Sequence, residues 1–246
     1  MNSTDPKEIL LIENFKEHLM PLLHHNDKPM LFKNFVPSPE NYVSWEEVET
    51  ILNTGLYYVE ILKNKNKTDI PYSQYLWLPK QIQNKEFIFD YINNGHTFVI
   101  HQFSQHNKYI NFFTSVIESL FDVVCDAHIY GSIGNTAESF CPHVDIPVNF
   151  IFQVEGTTKW RIYNNVASDL LSQNEVNACV VEEDLEVLFE YDMSPGDMLY
   201  IPGRNYHGAF PDSQRLSISV PCAHKKYNTR QRESSLDRKQ YKINRV

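Results

Sequence analysis

The sequence lacks long apolar runs, a secretory signal and paired cysteines, and each absence excludes a class of protein. No apolar run approaches the roughly 20 residues that span a bilayer, so no membrane-spanning helix is predicted. The first ten residues (MNSTDPKEIL) lack a basic stretch followed by an apolar one, which argues against a signal peptide. We therefore expect a cytoplasmic protein.

The four cysteines are too widely spaced to form a disulfide framework or a zinc finger. They occupy positions 125, 141, 179 and 222 and form no CxxC pair. Reduced thiols are the default for such a chain. Cys141 is expected to pack in the interior rather than to bind a metal.

Composition and charge describe a globular acidic body followed by a basic tail. Apolar residues make up 42% of the 246 residues and aromatic residues 13%, which is enough to bury a sizeable core. The net charge is −9, but residues 223–246 hold eight basic and two acidic residues, so the first 222 residues carry −15. An acidic body argues against nucleic acid as a partner. The basic tail is predicted to be a solvated segment, with an acidic partner as the alternative.

The first part of the chain is predicted to be helical with one strand. Leucine and phenylalanine recur there at helical spacing between Leu10 and Leu23. Ser44, followed three residues later by Glu47, predicts the start of a helix. Residues 29–35 predict a short strand that enters the body of the protein.

After about residue 95, short β-rich runs separated by turn residues follow one another. They cover residues 96–103, 123–130, 148–154, 159–163, 185–191, 198–201, 206–210 and 215–220, with one helix predicted over 112–121. This pattern predicts an all-β sandwich or barrel with helical additions. We expect a single domain over residues 1–222, with an N-terminal α/β elaboration over 1–95 and the β core over 96–222.

A His-x-Asp motif and a distant histidine supply the residue types of a metal site. In a strand, His143 and Asp145 lie on one face while Val144 faces away. His207 follows after the turn residues 195–197. Two imidazoles and one carboxylate are the facial set of non-haem Fe(II) oxygenases, which leaves positions open for a cosubstrate and O2. A His-x-Asp alone is common, and a single histidine is more often a packed or surface residue.

The residues around these three carry a family resemblance. Residues 140–163 (FCPHVDIPVNFIFQVEGTTKWRIY) and 195–207 resemble the JmjC-type, cupin-like Fe(II)- and 2-oxoglutarate-dependent oxygenases. They are most similar to the small-barrel branch, which includes ribosomal oxygenases and the asparaginyl hydroxylase that inhibits hypoxia-inducible factor. The resemblance covers most of residues 28–222 and implies a double-stranded β-helix, a jelly-roll, cupin-like barrel. The implied iron ligands are His143, Asp145 and His207.

One position departs from the family pattern. Relatives carry Lys or Arg 15 residues after the first iron-binding histidine, to pair with the distal carboxylate of 2-oxoglutarate, whereas this chain has Thr158. The neighbouring Lys159 is expected to face the other side of the strand. Arg215 and Ser217 resemble an Arg-x-Ser motif of other 2-oxoglutarate oxygenases. We therefore predict Arg215 as the carboxylate anchor, with Ser217 and Thr158 as hydroxyl donors; a surface Arg on an edge strand is the alternative.

Other residues are predicted near the cosubstrate or the substrate. Asn149 matches an Asn that contacts the cosubstrate in some relatives, and Tyr130 on the preceding strand is placed to reach it. The alternatives are an ordinary strand Asn and a packed Tyr, and Trp160 is assigned to the core. The mouth of the substrate site has three candidates, each with a structural role as the alternative: His101, Gln102 and His128.

The resemblance implies an enzyme that uses Fe(II), 2-oxoglutarate and O2 to hydroxylate an unactivated C–H bond, with release of succinate and CO2. Two other interpretations stay open at this point. One is a cupin metalloenzyme that does not use 2-oxoglutarate, although typical cupins use three His and a Glu. The other is a non-catalytic cupin-like binding module, which Thr158 favours and the intact metal triad opposes.

The substrate is open between a small molecule, a peptide and a protein side chain. A chain of 246 residues leaves no room for the winged-helix region that ribosomal oxygenases carry after the barrel, which favours an amino acid or a peptide. The acidic body favours a substrate with positive charge. Family members pair through C-terminal helices, so a homodimer is an option, but the polar sequence from Lys225 onward does not support it.

Overall fold

The barrel is built from short strands, with helices concentrated in the N-terminal half. The computed structural model describes residues 5–19, 28–55, 59–63, 66–74, 77, 81–133, 139–168, 180–212 and 214–224. Within these ranges the helices are α1 (Pro6–Leu19), α2 (Trp45–Thr54), α3 (Lys85–Asn93) and α4 (Lys108–Phe121). The strands are β1 (Met30–Phe32), β2 (Val59–Lys63), β3 (Asn66–Thr68), β4 (Tyr72–Gln74), β5 (Gln81–Gln83), β6 (Thr97–Ile100), β7 (Val123–Cys125), β8 (His128–Ser132), β9 (Val148–Glu155), β10 (Thr158–Val166), β11 (Val187–Met193), β12 (Met198–Ile201), β13 (Asn205–Pro211) and β14 (Arg215–His224).

Local capping residues set the helix boundaries. Ser44 precedes α2, and its hydroxyl accepts a hydrogen bond from the backbone N–H of Glu47, as the sequence predicts. Asn107 precedes α4, and its side-chain oxygen accepts from two N–H groups in the first turn. α2 ends at Gly55, whose φ of 62° lies in the left-handed region that glycine adopts at low cost.

Two sheets face each other to form the barrel. The larger sheet has the order β1-β12-β9-β14-β8-β6-β2-β3, with β7 also paired to β14. The smaller sheet has the order β11-β10-β13, and an antiparallel bridge between His143 and His207 adds one more position to it. From β9 to β14 the chain crosses between the two sheets at each connection except β10–β11, and β8 and β9 both belong to the larger sheet. The predicted double-stranded β-helix with an N-terminal α/β segment is therefore confirmed.

The large sheet is buried on both faces. On its outer face, under α1 and α4, the Phe113 ring lies 4.5 Å from Phe15 and 4.4 Å from Phe152, centroid to centroid. Its inner face packs against the small sheet in a second cluster: Ile151, Trp160, Ile162, Met193, Leu199 and Ile201. The N-terminal helices thus cover the outside of the sheet, and the two sheets cover each other.

Strand β14 alternates between these two environments. Three of its residues belong to the helix-covered core: Leu216, Ile218 and Val220. The polar residues between them are buried on the opposite face: Arg215, Ser217 and Ser219. Because side chains alternate along a strand, this register sends every polar residue of the segment into the barrel.

Most differences from the predicted elements lie at their ends. The strand predicted over 123–130 is two strands, β7 and β8, and the strand predicted over 29–35 is shortened to β1. β14 extends to His224, two residues beyond the predicted end of the domain. The described residues exclude Leu22, Leu23 and the tail from 225 to 246. Within the described ranges, no helix combines the length and the apolar character needed to cross a membrane.

Candidate active site

Three side chains from the small sheet converge inside the barrel. His143 and His207 exchange both backbone hydrogen bonds across their bridge, at 3.0 and 2.9 Å. Asp145 follows two residues after His143, and the ligand atoms of the three side chains all lie within 4.8 Å of one another. The predicted strand around His143 is reduced to this single bridge, yet the predicted orientation holds because Val144 is buried in a separate cluster with Ala167. The predicted metal-binding trio is therefore brought together.

Backbone carbonyls orient both imidazoles. His143 Nδ1 lies 2.8 Å from the carbonyl oxygen of Cys141, and His207 Nδ1 lies 2.9 Å from that of Asn205. A carbonyl oxygen only accepts, so each Nδ1 carries a hydrogen, and Nε2 is the ring nitrogen left to bind a metal. This is the arrangement by which proteins fix the tautomer of a metal-binding histidine.

The charge state of the trio suits a divalent cation. Burial, and then the neighbouring His207, lower the pKa of His143 to about 4, so its imidazole is neutral near pH 7. Burial opposes ionisation of Asp145, but hydrogen bonding and charge from His207 outweigh it, and the net pKa of Asp145 is lowered. The site thus offers neutral nitrogen and anionic oxygen, the donor set that Fe(II) takes in the facial triad.

A polar relay holds the Asp145 carboxylate. Asn149 Nδ2 donates to Asp145 Oδ2 at 3.2 Å, and Ser219 Oγ donates to Asn149 Oδ1 at 2.9 Å. The sequence predicts Asn149 as a cosubstrate contact, whereas its observed partners are a metal-site carboxylate and a serine. Ser219 is absent from the sequence predictions, although the alternation of Arg215, Leu216 and Ser217 places it on the same inward face.

The trio lines a cavity inside the barrel. Four of the residues predicted to bind the cosubstrate line it together with the trio: Tyr130, Asn149, Arg215 and Ser217. Thr158, the fifth, is fully buried but is not among the lining residues. Lys159 faces outward and binds Glu190 at 2.8 Å, as its strand position predicts.

Arg215 is a buried cation with no acidic partner among the described residues. Its side chain is 1% exposed, and its hydrogen bond is to Ser139 Oγ, at 3.2 Å from Nη2. Burial lowers the pKa of Arg215 to about 10, which leaves the guanidinium charged near pH 7. The alternative of a surface Arg on an edge strand is wrong.

Other polar atoms inside the barrel also lack hydrogen-bond partners. In the described part of the chain these buried atoms are Arg215 Nε, Ser132 Oγ, Thr158 Oγ1, Trp160 Nε1 and Gln153 Oε1. Ser132 lies directly across from Arg215 in the β8–β14 pair. Unpaired buried polar groups are costly, so the unpaired donors of Arg215 and Trp160, which line one cavity, fit an anionic ligand with several acceptor atoms. A dicarboxylate such as 2-oxoglutarate is such a ligand.

A charged group lies outside the cavity lining. Glu60 on β2 binds Lys67 Nζ at 2.6 Å and lies 3.7 Å from His101 Nε2. Burial raises the pKa of Glu60, but hydrogen bonds from His101 and Lys67 outweigh it and lower the pKa to about 2. The His101 ring contacts the ring of His128, another predicted mouth residue, at 4.7 Å. Two of the three predicted mouth residues therefore interact with each other, and Glu60 was not predicted.

Burial shifts the pKa of two side chains on strand β8, Tyr130 and His128. Burial, then the charge of Asp145, raises the pKa of Tyr130, so its phenol stays protonated. Burial, then the neighbouring His101, lowers the pKa of His128, so its imidazole is neutral near pH 7. Gln102, the third predicted mouth residue, immediately precedes the short 3-10 helix Phe103–Gln105 and has a φ of 58°.

The cysteines differ from expectation at one position. Cys125 and Cys222 are free, as predicted. Cys141 is buried but disulfide-bonded, so the prediction of a reduced thiol there is wrong. No cysteine spacing in the sequence predicts this bond, and Cys179 lies outside the described residues.

A family comparison accounts for the combination of this fold with the His-Asp-His trio. The sequence model of the JmjC domain family matches residues 99–230, which is more than half of the chain. The chain belongs to the JmjC domain family. The matched residues contain the His143, Asp145 and His207 trio and the buried Arg215.

Curated relatives match about half of this chain. The bifunctional lysine-specific demethylase and histidyl-hydroxylase NO66 of Drosophila willistoni is 29% identical over 107 residues, which cover 43% of this chain and 14% of that protein. Ribosomal oxygenase 1 of Gallus gallus is 29% identical over 136 residues, which cover 54% of this chain and 22% of that protein. The matched region thus spans less than a quarter of either relative's length.

Solved structures share the fold of this JmjC domain. YcfD, a ribosomal oxygenase from Escherichia coli, aligns with a TM-score of 0.59 and 16% identity over 92% of this chain and 59% of that chain. A structure of YcfD in complex with cobalt and 2-oxoglutarate aligns with a TM-score of 0.59 and 15% identity, over 93% of this chain and 60% of that chain. At this level of identity the likeness establishes the fold.

Proposed function

We propose that this JmjC domain is an Fe(II)- and 2-oxoglutarate-dependent oxygenase that hydroxylates a C–H bond and releases succinate and CO2. The observation that carries the proposal is a buried guanidinium, without an acidic partner among the described residues, in the same cavity as a His-Asp-His trio. The names of the relatives, which include an oxygenase and a histidyl-hydroxylase, support the same activity.

His143, Asp145 and His207 would hold the iron. Two imidazoles and a single carboxylate are the donor set that would leave positions open for a cosubstrate and O2. Bound iron and 2-oxoglutarate supply oxygen activation coupled to oxidative decarboxylation of the cosubstrate. The chain's own contribution is to fix the imidazole tautomers, to keep Asp145 ionised and to exclude water from the cavity.

Arg215 would anchor the distal carboxylate of 2-oxoglutarate in place of the residue that relatives carry at position 158. The guanidinium presents a planar fork that matches a carboxylate, and its Nε is already free of other hydrogen bonds. Ser217 lines the same cavity, and the buried Thr158 hydroxyl is without a partner. Tyr130 and Asn149 complete the predicted cosubstrate contacts from the strands on either side.

The proposed substrate is a peptide or protein side chain, with a free amino acid as the smaller option. The names of the relatives support a protein substrate, since they specify a demethylase of lysine, a histidyl-hydroxylase and a ribosomal oxygenase. The acidic body of the chain favours a substrate with positive charge.

The direct test is release of succinate from 2-oxoglutarate by the purified protein in air. We expect release that requires Fe(II), and a loss of at least about a hundredfold in His143→Ala because a metal ligand is removed. Lys159→Ala is the matched control, because this neighbouring cation faces outward and should leave turnover unchanged. His143→Ala with the turnover of the parent would contradict the metal assignment.

A second measurement separates the proposal from a cupin enzyme that does not use 2-oxoglutarate. Under anaerobic conditions, only the proposed enzyme should develop a visible absorption band that requires both Fe(II) and 2-oxoglutarate. Mass spectrometry of amino acids, peptides and lysate proteins after incubation should then show addition of one oxygen atom to the substrate.

A further inference from the structure

Trp160 has a buried indole N–H that finds no hydrogen-bond acceptor in the described part of the chain. The sequence assigns this residue to the core, and its ring does pack in the inner cluster between the sheets. The same side chain also lines the cavity that contains the metal-binding trio. Buried Trp N–H groups normally find a partner, so the indole serves packing while its polar atom remains unsatisfied.

The position of Trp160 on β10 places its ring on the inward face of the strand, next to His207. Ile162 lies opposite His207 in the β10–β13 pair, Trp160 lies opposite Ala209, and Thr158 lies opposite Pro211. These three β10 residues share the inward face, so Trp160 occupies the middle inward position. Its ring centroid is 6.1 Å from that of His207. A ligand that reached from the trio towards Thr158 would pass beside the indole.

The polar atoms near Trp160 do not supply the missing acceptor. The Nδ1 of His207 binds the Asn205 carbonyl, and its Nε2 lies 3.6 Å from Asp145 Oδ2. Arg215 Nε is itself a donor and cannot accept a hydrogen bond from the indole. The Thr158 hydroxyl has no hydrogen-bond partner, so it is not the acceptor either. Gln153 Oε1 is an unpaired acceptor, but Gln153 is not among the residues that line this cavity.

We infer that Trp160 is a cosubstrate-binding residue, whose Nε1–H donates a hydrogen bond to a carboxylate oxygen of bound 2-oxoglutarate. This inference rests on the proposed function, because it requires the dicarboxylate to occupy the cavity between the trio and Arg215. It assigns to Trp160 a donor role in addition to its role in packing. A hydrogen bond between an indole N–H and a carboxylate is charge-assisted and is therefore among the stronger kinds.

The decisive variant is Trp160→Phe, which keeps an aromatic ring and removes the N–H. We expect the affinity of the Fe(II)-loaded protein for 2-oxoglutarate, measured by anaerobic calorimetry, to fall about tenfold. The affinity for Fe(II) alone should stay within twofold of the parent. The matched control is Trp45→Phe, because Trp45 also has a buried indole N–H without a partner but lies outside the cavity. That variant should bind 2-oxoglutarate like the parent.

A second readout uses the unmodified protein. The chain has three tryptophans, so a protein labelled with ¹⁵N-tryptophan and loaded with Zn(II) gives few indole N–H signals to follow. Addition of 2-oxoglutarate should shift the Trp160 signal, which Trp160→Phe identifies by its disappearance, towards the position of a hydrogen-bonded indole.

The outcomes separate the inference from the proposed function. Equal 2-oxoglutarate affinity in Trp160→Phe and the parent, or a Trp160 signal that does not move at saturation, would overturn the role of Trp160 and leave the enzyme assignment intact. A parent that binds no 2-oxoglutarate would overturn both.

Discussion

The polar side chains on the two faces of strand β10 differ in whether they have hydrogen-bonding or ion-pair partners. On the outer face, Lys159 binds Glu190 at 2.8 Å, and Arg161 binds Glu190 and Glu182 at 2.8 and 2.7 Å. On the inner face, the polar atoms of Thr158 and Trp160 are buried without partners. One strand therefore combines a fully paired surface with an unsatisfied interior.

This difference separates polar side chains that are paired within the protein from polar side chains that we expect to bind a ligand. Exposed ion pairs contribute little to stability and need no further partner. Buried polar groups without partners destabilise a fold, so we expect a bound ligand to complete the unpaired atoms of Arg215 and Trp160, which line one cavity. The four predictions below test this contrast, from the largest expected effect to the smallest.

The largest effect is expected at the metal site. Asp145→Ala removes the only carboxylate of the trio and leaves two imidazoles, so affinity for Fe(II) should fall by at least about a hundredfold. Anaerobic titration with Fe(II) measures this, and Asp192→Ala, an exposed acid on β11, is the control. If Asp145→Ala retained the Fe(II) affinity of the parent, the trio would have a structural role and would not bind the metal.

Arg215 should show opposite effects on ligand binding and on stability. In Arg215→Met, affinity for 2-oxoglutarate should fall by about a hundredfold, because the buried cation that pairs with the carboxylate is lost. The free energy of unfolding of the metal-free protein should rise by about 1–3 kcal/mol, because a buried charge without an acidic partner is removed. Calorimetry and urea denaturation measure the two quantities.

A conservative variant sharpens the Arg215 prediction. Arg215→Lys keeps the charge but loses the planar fork, so its affinity for 2-oxoglutarate should lie between those of the parent and Arg215→Met. A large loss of stability in Arg215→Met would instead mean that Arg215 is a structural residue whose partners are already complete.

Much of this contrast can be predicted from sequence because it depends on strand parity. A period of two places Thr158 inward and Lys159 outward, and it sends Arg215, Ser217 and Ser219 to one face. The His-x-Asp spacing works in the same way, even though only one residue of that predicted strand forms a bridge. Parity is local, so one chain segment is enough to infer it.

Contacts between distant segments could not be predicted in this way. Ser139 lies 76 residues from Arg215, and Ser219 lies 70 residues from Asn149, yet each pair is hydrogen-bonded. Whether the indole N–H of Trp160 has an acceptor depends on residues from several chain segments. The sequence alone therefore assigns Trp160 only to the core. The disulfide at Cys141 was not predicted for the same reason, since no local cysteine spacing indicates it.

An intermediate effect is expected from the relay behind Asp145. Ser219→Ala removes the hydroxyl that donates to Asn149, so Asn149 is less firmly oriented towards the carboxylate. Fe(II) affinity should fall about tenfold, at the low end for groups that orient a metal ligand. Ser115→Ala, which removes a partly exposed serine hydroxyl on α4 that also donates a hydrogen bond, is the control. An unchanged affinity would show that packing alone positions Asp145.

The smallest effect is expected on the paired face of β10. Arg161→Ala removes two partly exposed ion pairs and the contact of its guanidinium with the Phe210 ring, 4.7 Å from the centroid. The free energy of unfolding should fall by about 0.5–1 kcal/mol, with the affinity for 2-oxoglutarate unchanged, because none of these contacts reaches the cavity. Urea denaturation and anaerobic calorimetry on one preparation measure both. If Arg161→Ala weakened 2-oxoglutarate binding as much as Arg215→Met, the two faces of the strand would not be independent.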